Sequence, residues 1–260
     1  MPRRFLVRPE AILGDRVVFD AEETRHLARV LRLGPGDLVR ALDGRGVELT
    51  VRLIAVEPRA ASGAVVGRAL VAAESPLELT LAQGVPRGDR MEAIVRMATE
   101  LGATRIAPLL TARTVVRLDD PAGRAGRHRR WQRVAREGAK QSGRAVVPAV
   151  ELPRALPEWL ASRARPELLV CLWEGERRAL DEVLPPGPVR TAALVVGPEG
   201  GLSESEVEAL AAAGAVLARL GPRILRTETA GPVGLALLQA RYGDLASVPM
   251  DREFTRGTGP

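Results

Sequence analysis

Residues 220–232, LGPRILRTETAGP, set Arg223, Arg226, Thr227, Glu228 and Thr229 between two Gly-Pro pairs, directly ahead of an apolar run from Val233 to Leu238. Packing gives no reason for so many charged and hydroxyl groups at the mouth of a buried segment. The stretch reads as a loop that holds a ligand. A second candidate is GPEGGLSESE at 197–206, where three glycines let backbone approach a ligand closely and adopt positive φ. Free N–H groups at the start of the following helix favour an anion or an acceptor-rich ring. On glycines alone, a tight strand-to-helix turn would serve as well. Neither common phosphate fingerprint is present: a P-loop needs Gly-Lys-Ser/Thr, and a dinucleotide fold needs Gly-x-Gly-x-x-Gly after an early strand. The first candidate strand here runs into GVPRGDR instead. A nucleotide-like ligand fits these loops, by a less common route.

Both loops require strands and helices to present them. From LTLAQGV (79–85) onward the chain alternates the two. RIAPLL (105–110), ELLVCLW (167–173), AALVVG (192–197) and AVLARLG (215–221) read as further strands, continuously apolar. Helices are expected after Asp89, with Glu92 completing a cap, over the basic stretch 127–140, after Ser203 with Glu206, and after Thr229. This grammar predicts a parallel sheet covered on both faces, with ligands beyond the carboxyl ends of the strands. The loops after Leu172, Val196 and Leu220 occupy such ends. Residues 1–72 read differently, as a compact β-barrel. Short strands at Arg16–Phe19, Leu38–Leu42, Val47–Val56 and Ala64–Val71 surround one helix capped by Asp20 with Glu23, its buried stripe Leu27, Val30 and Leu31. Asp43-Gly44 and Arg45-Gly46 read as a hairpin turn. The expected domains are 1–72 and 73–246, joined at AESP (73–76), with a tail at 247–260.

The 260 residues are 46% hydrophobic, ample for a core, and no run approaches a membrane helix. The N-terminus lacks the apolar stretch of a signal peptide, so the cytoplasm is the expected compartment. The single Cys171, inside LLVCLW, reads as a buried thiol and excludes a disulfide framework. No His/Cys/carboxylate spacing suggests a metal. His26 reads as packing; His128, among arginines, fits an RNA contact or plain exposure. Net charge is +6, yet Arg113, Arg117, Arg124, Arg127, Arg129, Arg130, Arg133, Arg136, Lys140 and Arg144 face only Asp119, Asp120 and Glu137 over one segment. That local excess of seven suits a polyanion such as nucleic acid, or a solvated helix face. Aromatics are 3% of the chain, too few for a base-stacking platform.

RMEAIVRMATELG (90–102), RWQRVAREGAKQSGR (130–144), LVVGPEGGLSESE (194–206) and LGPRILRTETA (220–230) together resemble the ribosomal RNA small subunit methyltransferase E family, and HLARVLRLGPGD (26–37) resembles its barrel domain. The resemblance runs from about residue 3 to Asp244. It implies an α/β fold: an N-terminal PUA-like β-barrel, then a SPOUT domain whose parallel sheet carries a deep trefoil knot. It implies S-adenosylmethionine as cofactor and methylation of N3 of one 16S rRNA uridine, 1498 in conventional rRNA numbering, on the assembled small subunit by a homodimer. Leu172, Gly197, Pro198, Glu199, Gly200, Leu220, Gly221, Ile224, Leu225, Arg226, Thr227, Thr229 and Ala230 would hold the cofactor. Uridine N3 carries a proton at neutral pH, so Arg226 and Arg223 are expected to stabilise the anion and Glu228 or Glu199 to accept the proton. These groups would otherwise only pin the loop or cap local amides. Arg3, Arg4, Arg8, Arg129, Arg133, Arg136 and Lys140 would neutralise RNA phosphates. The apolar last helix, GPVGLALLQARYG (231–243), fits burial against a second copy. The competing readings are a related knotted methyltransferase acting on tRNA or a ribose hydroxyl, and an RNA chaperone, for which the late glycine loops have no use.

Overall fold

Alternation at two periods decides the two halves of the chain. The structure, a computed structural model, describes residues 4–70, 74–116, 120–162 and 164–246. The expected junction at 72/73, strand residue Val71, Ala73, Arg3, Arg117, Asp119 and the tail 247–260 lie outside the described residues.

In the N-terminal half, strands β1 (Arg4–Leu6), β2 (Ile12–Leu13), β3 (Arg16–Phe19), β4 (Leu38–Leu42), β5 (Val47–Val56) and β6 (Ala61–Leu70) form one sheet in the order β1-β4-β5-β6-β3-β2. All pairs are antiparallel except β1 with β4. Register shifts between Thr50/Val51 and Leu53/Ala55 bend β5 against β6, as bulges do, so the sheet curls into a partly open barrel over Phe5, Val17, Phe19, Val39, Leu49, Val51 and Leu53. Asp43 Oδ1 accepts from the amides of Arg45 and Val47 and fixes the β4–β5 turn. Helix α1 (Ala21–Arg25) starts on Asp20, whose side chain accepts from the Glu22 and Glu23 amides, and continues as a π-helical turn, His26–Val30. Two expectations fail here. Val30 is 67% exposed, because the widened turn rotates it away from the core. Glu23 does not return to the cap; its carboxylate turns inward to Lys140. Strand β6 also begins at Ala61 rather than Ala64.

The second half is a parallel sheet: β7 (Glu78–Gly84), β8 (Arg105–Leu110), β9 (Ala149–Val150), β10 (Arg154–Ala155), β11 (Leu168–Leu172), β12 (Thr191–Val196) and β13 (Val216–Ala218). Its order is β10-β8-β7-β12-β11-β13, with β9 also on β8. Alternate residues enter two cores. Leu79, Leu81, Val170, Leu172, Leu194 and Val196 face one; Ala82, Cys171, Ala193 and Val195 face the other. Both faces are therefore covered, as the continuous apolar runs require. Helices α2 (Arg90–Glu100), α3 (Pro121–Ser142) and α7 (Thr227–Tyr242) contribute to the first core, and α4 (Leu156–Ser162) and α6 (Glu204–Ala212) to the second; α5 (Leu180–Val183) is a single turn.

Ser203 and Glu206 cap α6 reciprocally, as expected. Asp89 precedes α2 without a side-chain cap bond, and Glu92 pairs with Arg130 on α3 instead (2.7 Å). The basic helix is longer than the expected 127–140, because Asp120 caps it through the amides of Ala122 and Gly123. Helix α7 opens at Thr227, three residues early, since Arg226 is the last extended residue.

The C-terminal end of α3 holds the barrel. Lys140 Nζ lies 2.8 Å from both Glu23 carboxylate oxygens and Leu6 N donates to the same carboxylate. Arg144, 3% exposed, donates to Glu74 and to the Thr99 and Ala103 carbonyls. His26 packs edge-on to Phe5, and His128 donates to the Val150 carbonyl (2.9 Å), a structural tie rather than an open contact.

Candidate active site

The order of the sheet reverses between β7 and β12, and the chain ends of β11, β12 and β13 open on the same side of it. A cavity of about 550 Å³ lies there. It is walled by the three loops that follow those strands. Of the residues expected to hold a ligand, Leu172, Gly197, Pro198, Glu199, Gly200, Leu220, Ile224, Leu225, Arg226, Thr227 and Ala230 line it, with Arg223 and Glu228. Gly221 and Thr229 do not; Thr229 is exposed, and its amide closes the first turn of α7 on the Arg226 carbonyl. Ile224, also expected to hold the cofactor, is 83% exposed at the rim.

The glycine loop is tight. A Cβ on Gly197 would sit 2.9 Å from the Gly201 carbonyl carbon, and Gly201 itself has φ +73. The two ligand loops are joined directly: Thr227 Oγ1 donates to the Gly197 carbonyl (2.6 Å), and Gln83 Nε2 donates to Thr227 Oγ1 (2.8 Å). From outside, Arg113 Nη1 donates to the Gly200 carbonyl and Ala112 N to Glu206, so the 111–116 segment buttresses the loop.

Charges of both signs ring the mouth. Arg90, from the first turn of α2, bonds the Glu199 carboxylate and lies 3.6 Å from Glu228. Burial alone would push the Glu199 carboxyl up, but the amides of Glu199 and Arg87 and the Arg90 guanidinium bring it below its usual range. Arg226 is 3.9 Å from Glu228 with its side chain 81% exposed. Arg223 has no hydrogen bond or ion pair among the described residues. Sequence reading missed Arg90, Trp173, Glu174, Val196, Leu202, Ala218 and Arg219, all of which line the cavity, as does Gly201, the third glycine of the 197–206 loop. Trp173 and Glu174 directly follow Leu172 and could have been taken with it. Arg90 carries no local signal; only the packing of α2 brings it there.

A second cleft, about 490 Å³, runs between the barrel and α3, lined by Arg8, Arg45, Arg133 and Arg136 among acidic neighbours. Arg129, Arg133 and Arg136 form an exposed face of α3. Arg4 is engaged with Glu48 (3.3 Å). Lys140 is a correction: its side chain is 10% exposed and bound to Glu23, so it is no part of that face. Cys171 is buried, its thiol pushed up to about 12 by desolvation. Among the described residues there is no cluster of potential metal ligands and no helix long and apolar enough to cross a membrane.

Residues 73–239 match the RNA methyltransferase domain family, and residues 19–65 the RNA methyltransferase PUA domain family. The chain is 37% identical over 215 residues to the ribosomal RNA small subunit methyltransferase E of Bacillus subtilis (strain 168), spanning 80% of this chain and 84% of the relative. The ribosomal RNA small subunit methyltransferase E of Neisseria gonorrhoeae, solved bound to S-adenosyl methionine, superposes with a TM-score of 0.85 at 32% identity, covering 94% of this chain and 99% of that one. A methyltransferase of Legionella pneumophila, solved with SAM, gives 0.87 at 31% identity, over 94% and 100%. Both domain families occur here in order along one chain, and the likeness to the Bacillus protein extends over most of both chains; the chain belongs to the ribosomal RNA small subunit methyltransferase E family.

Proposed function

We propose that the chain transfers a methyl group from S-adenosylmethionine to N3 of one 16S rRNA uridine, position 1498 in conventional numbering, on the assembled small subunit. The observation that carries this reading is the single cavity made by loops 197–202 and 218–230, joined through Thr227 and Gly197. The residues fit the cofactor. The cavity's about 550 Å³ lies within the range of roughly 300–1,000 Å³ usual for sites of this kind. Leu172, Val196, Leu220 and Leu225 offer apolar walls to an adenine ring, and loop amides offer donors to its acceptors. Bound there, the cofactor supplies an electrophilic methyl group. A threaded chain at these loops belongs to the same reading.

The chain's own work is to orient the uridine, take its N3 proton and balance the resulting charge. Glu199 is tied to the backbone amides of Glu199 and Arg87 and to the Arg90 guanidinium, which together hold its carboxyl below the usual range, and we assign the proton-accepting task to Glu228 instead. Arg223 and Arg226, with little or no pairing in the fold, face the charge that spreads to the uracil oxygens. Arg8, Arg129, Arg133 and Arg136 bind phosphates, and the target base leaves its stack to reach the cavity. On α7, Val233 and Leu237 are 36% and 45% exposed, and a second copy of the chain covers them. Such a reaction belongs in the cytoplasm, where ribosomes are assembled.

The test is incubation with isotope-labelled S-adenosylmethionine and small subunits from cells lacking this chain, followed by nucleoside mass mapping. One labelled 3-methyluridine at the named position is expected. Label on a ribose, on tRNA or on another base would overturn the reading.

A further inference from the structure

Gln83 stands at the carboxyl end of β7, in the otherwise apolar run LTLAQGV, and is completely buried (0% exposed). A buried amide is tolerated only where its hydrogen bonds are worth its desolvation. Its Nε2 donates to Thr227 Oγ1 (2.8 Å) and to the Gly84 carbonyl (3.1 Å), with the Gly197 carbonyl at 3.4 Å. The orientation is forced. The Thr227 hydroxyl gives its only proton to Gly197 O (2.6 Å), so its oxygen must accept from Gln83. A flipped amide would set a carbonyl oxygen against two others. Gln83 Oε1 is left with no partner among the described residues, facing Gly231, where a Cβ would come within 2.9 Å. The fold thus keeps an unsatisfied carbonyl in its interior to hold one donor in place. Contact at this point is close on every side: a Cβ on Gly84 would lie 2.5 Å from Pro198 Cδ.

We propose that Gln83 is a positioning residue for the methyl-donor site. By fixing Thr227 and the Gly197 carbonyl together, it presets the glycine loop and the start of α7, the two walls between which the donor binds. This rests on the cofactor assignment above. A ligand that finds both walls in place avoids the ordering penalty of assembling them, so the role is read in affinity rather than in chemistry.

Two variants test it by calorimetry with S-adenosylmethionine, alongside circular dichroism to establish folding. Gln83→Leu keeps most of the volume and removes the donor. Without that donor the two walls are no longer preset, which predicts a Kd raised about tenfold or more, with turnover at saturating donor within about twofold of the unaltered chain. In Gln83→Glu, an ionised carboxylate would face the Gly84 and Gly197 carbonyls, whereas the protonated acid can donate to Thr227. The ratio of its Kd to that of the unaltered chain should fall toward one as pH is lowered from 8 to about 5. The atoms around Gln83 do not titrate, and Arg90, Glu199 and Glu228 at the mouth are common to both proteins, so the ratio isolates residue 83. A folded Gln83→Leu protein with unchanged Kd overturns the proposal, as does a Gln83→Glu ratio flat with pH. If the unaltered chain itself fails to bind the donor, the cofactor assignment falls first and this inference with it.

Discussion

Replacing Lys140 by methionine should unbalance the joint between the barrel and the catalytic domain, by an amount the geometry sets. Lys140 Nζ sits 2.8 Å from each Glu23 oxygen, with side-chain exposures of 10% and 8%. Methionine fills similar space and leaves the Glu23 carboxylate with the Leu6 amide as its remaining hydrogen-bond partner. Breaking a buried pair on one side costs about 3–5 kcal/mol, much of it the unpaired charge. Burial already pushes the Glu23 carboxyl above its ordinary 4.5, against the downward pull of Lys140 and the Leu6 amide. An acid raised in the fold contributes stability that is full below its unfolded pKa and is lost as pH rises through the folded one. Without Lys140 the folded value climbs further, so the loss at neutral pH deepens and acid recovers it. Urea denaturation at pH 7.5 should show the deficit of about 3–5 kcal/mol, shrinking toward pH 5, while Lys140→Met combined with Glu23→Gln recovers most of it at both pH values. A deficit below about 1 kcal/mol, or one independent of pH, would refute the reasoning and return Lys140 to the surface.

Four further outcomes follow. In Arg90→Met, the Glu199 carboxyl should titrate higher by carbon-13 NMR, since burial is its largest influence and the guanidinium opposes it; an unmoved titration contradicts that balance. Gly197→Ala drives a Cβ to 2.9 Å of the Gly201 backbone and should weaken donor binding by about tenfold or more in calorimetry, with little change in the far-ultraviolet spectrum. Arg133→Ala with Arg136→Ala should reduce the salt slope of RNA binding by roughly 1.4–1.8 while leaving donor affinity intact. Cys171, its thiol pushed up to about 12, should resist thiol reagents in the native protein at pH 8 and react fully in denaturant.

The sequence was most informative where one local pattern decides the structure. RIAPLL coincides with β8 because its four middle residues, 106–109, are buried in continuous succession, and Ser203 with Glu206 forms a cap that needs no other partner. It was least informative where a side chain answers to a distant one. Glu23 fits a capping box locally but is drawn to Lys140, 117 residues away. Glu92 is likewise taken by Arg130. Within the site, the two loops were legible because glycine and charge are dense in them, whereas Arg90 and Gln83 reach them only through the packing of α2 and β7. The short pieces β9, β10, α4 and α5 escaped because so few residues show no period.

The central claim is that the methyl donor lies between the glycine loop and the start of α7. A crystal structure of the chain soaked with S-adenosylmethionine measures this directly. Adenine between Leu172, Leu220 and Leu225, with the methyl group turned toward Arg226 and Glu228, is the expected result. Density for the donor in the cleft against α3, with loops 197–202 and 218–230 bare, would contradict the account.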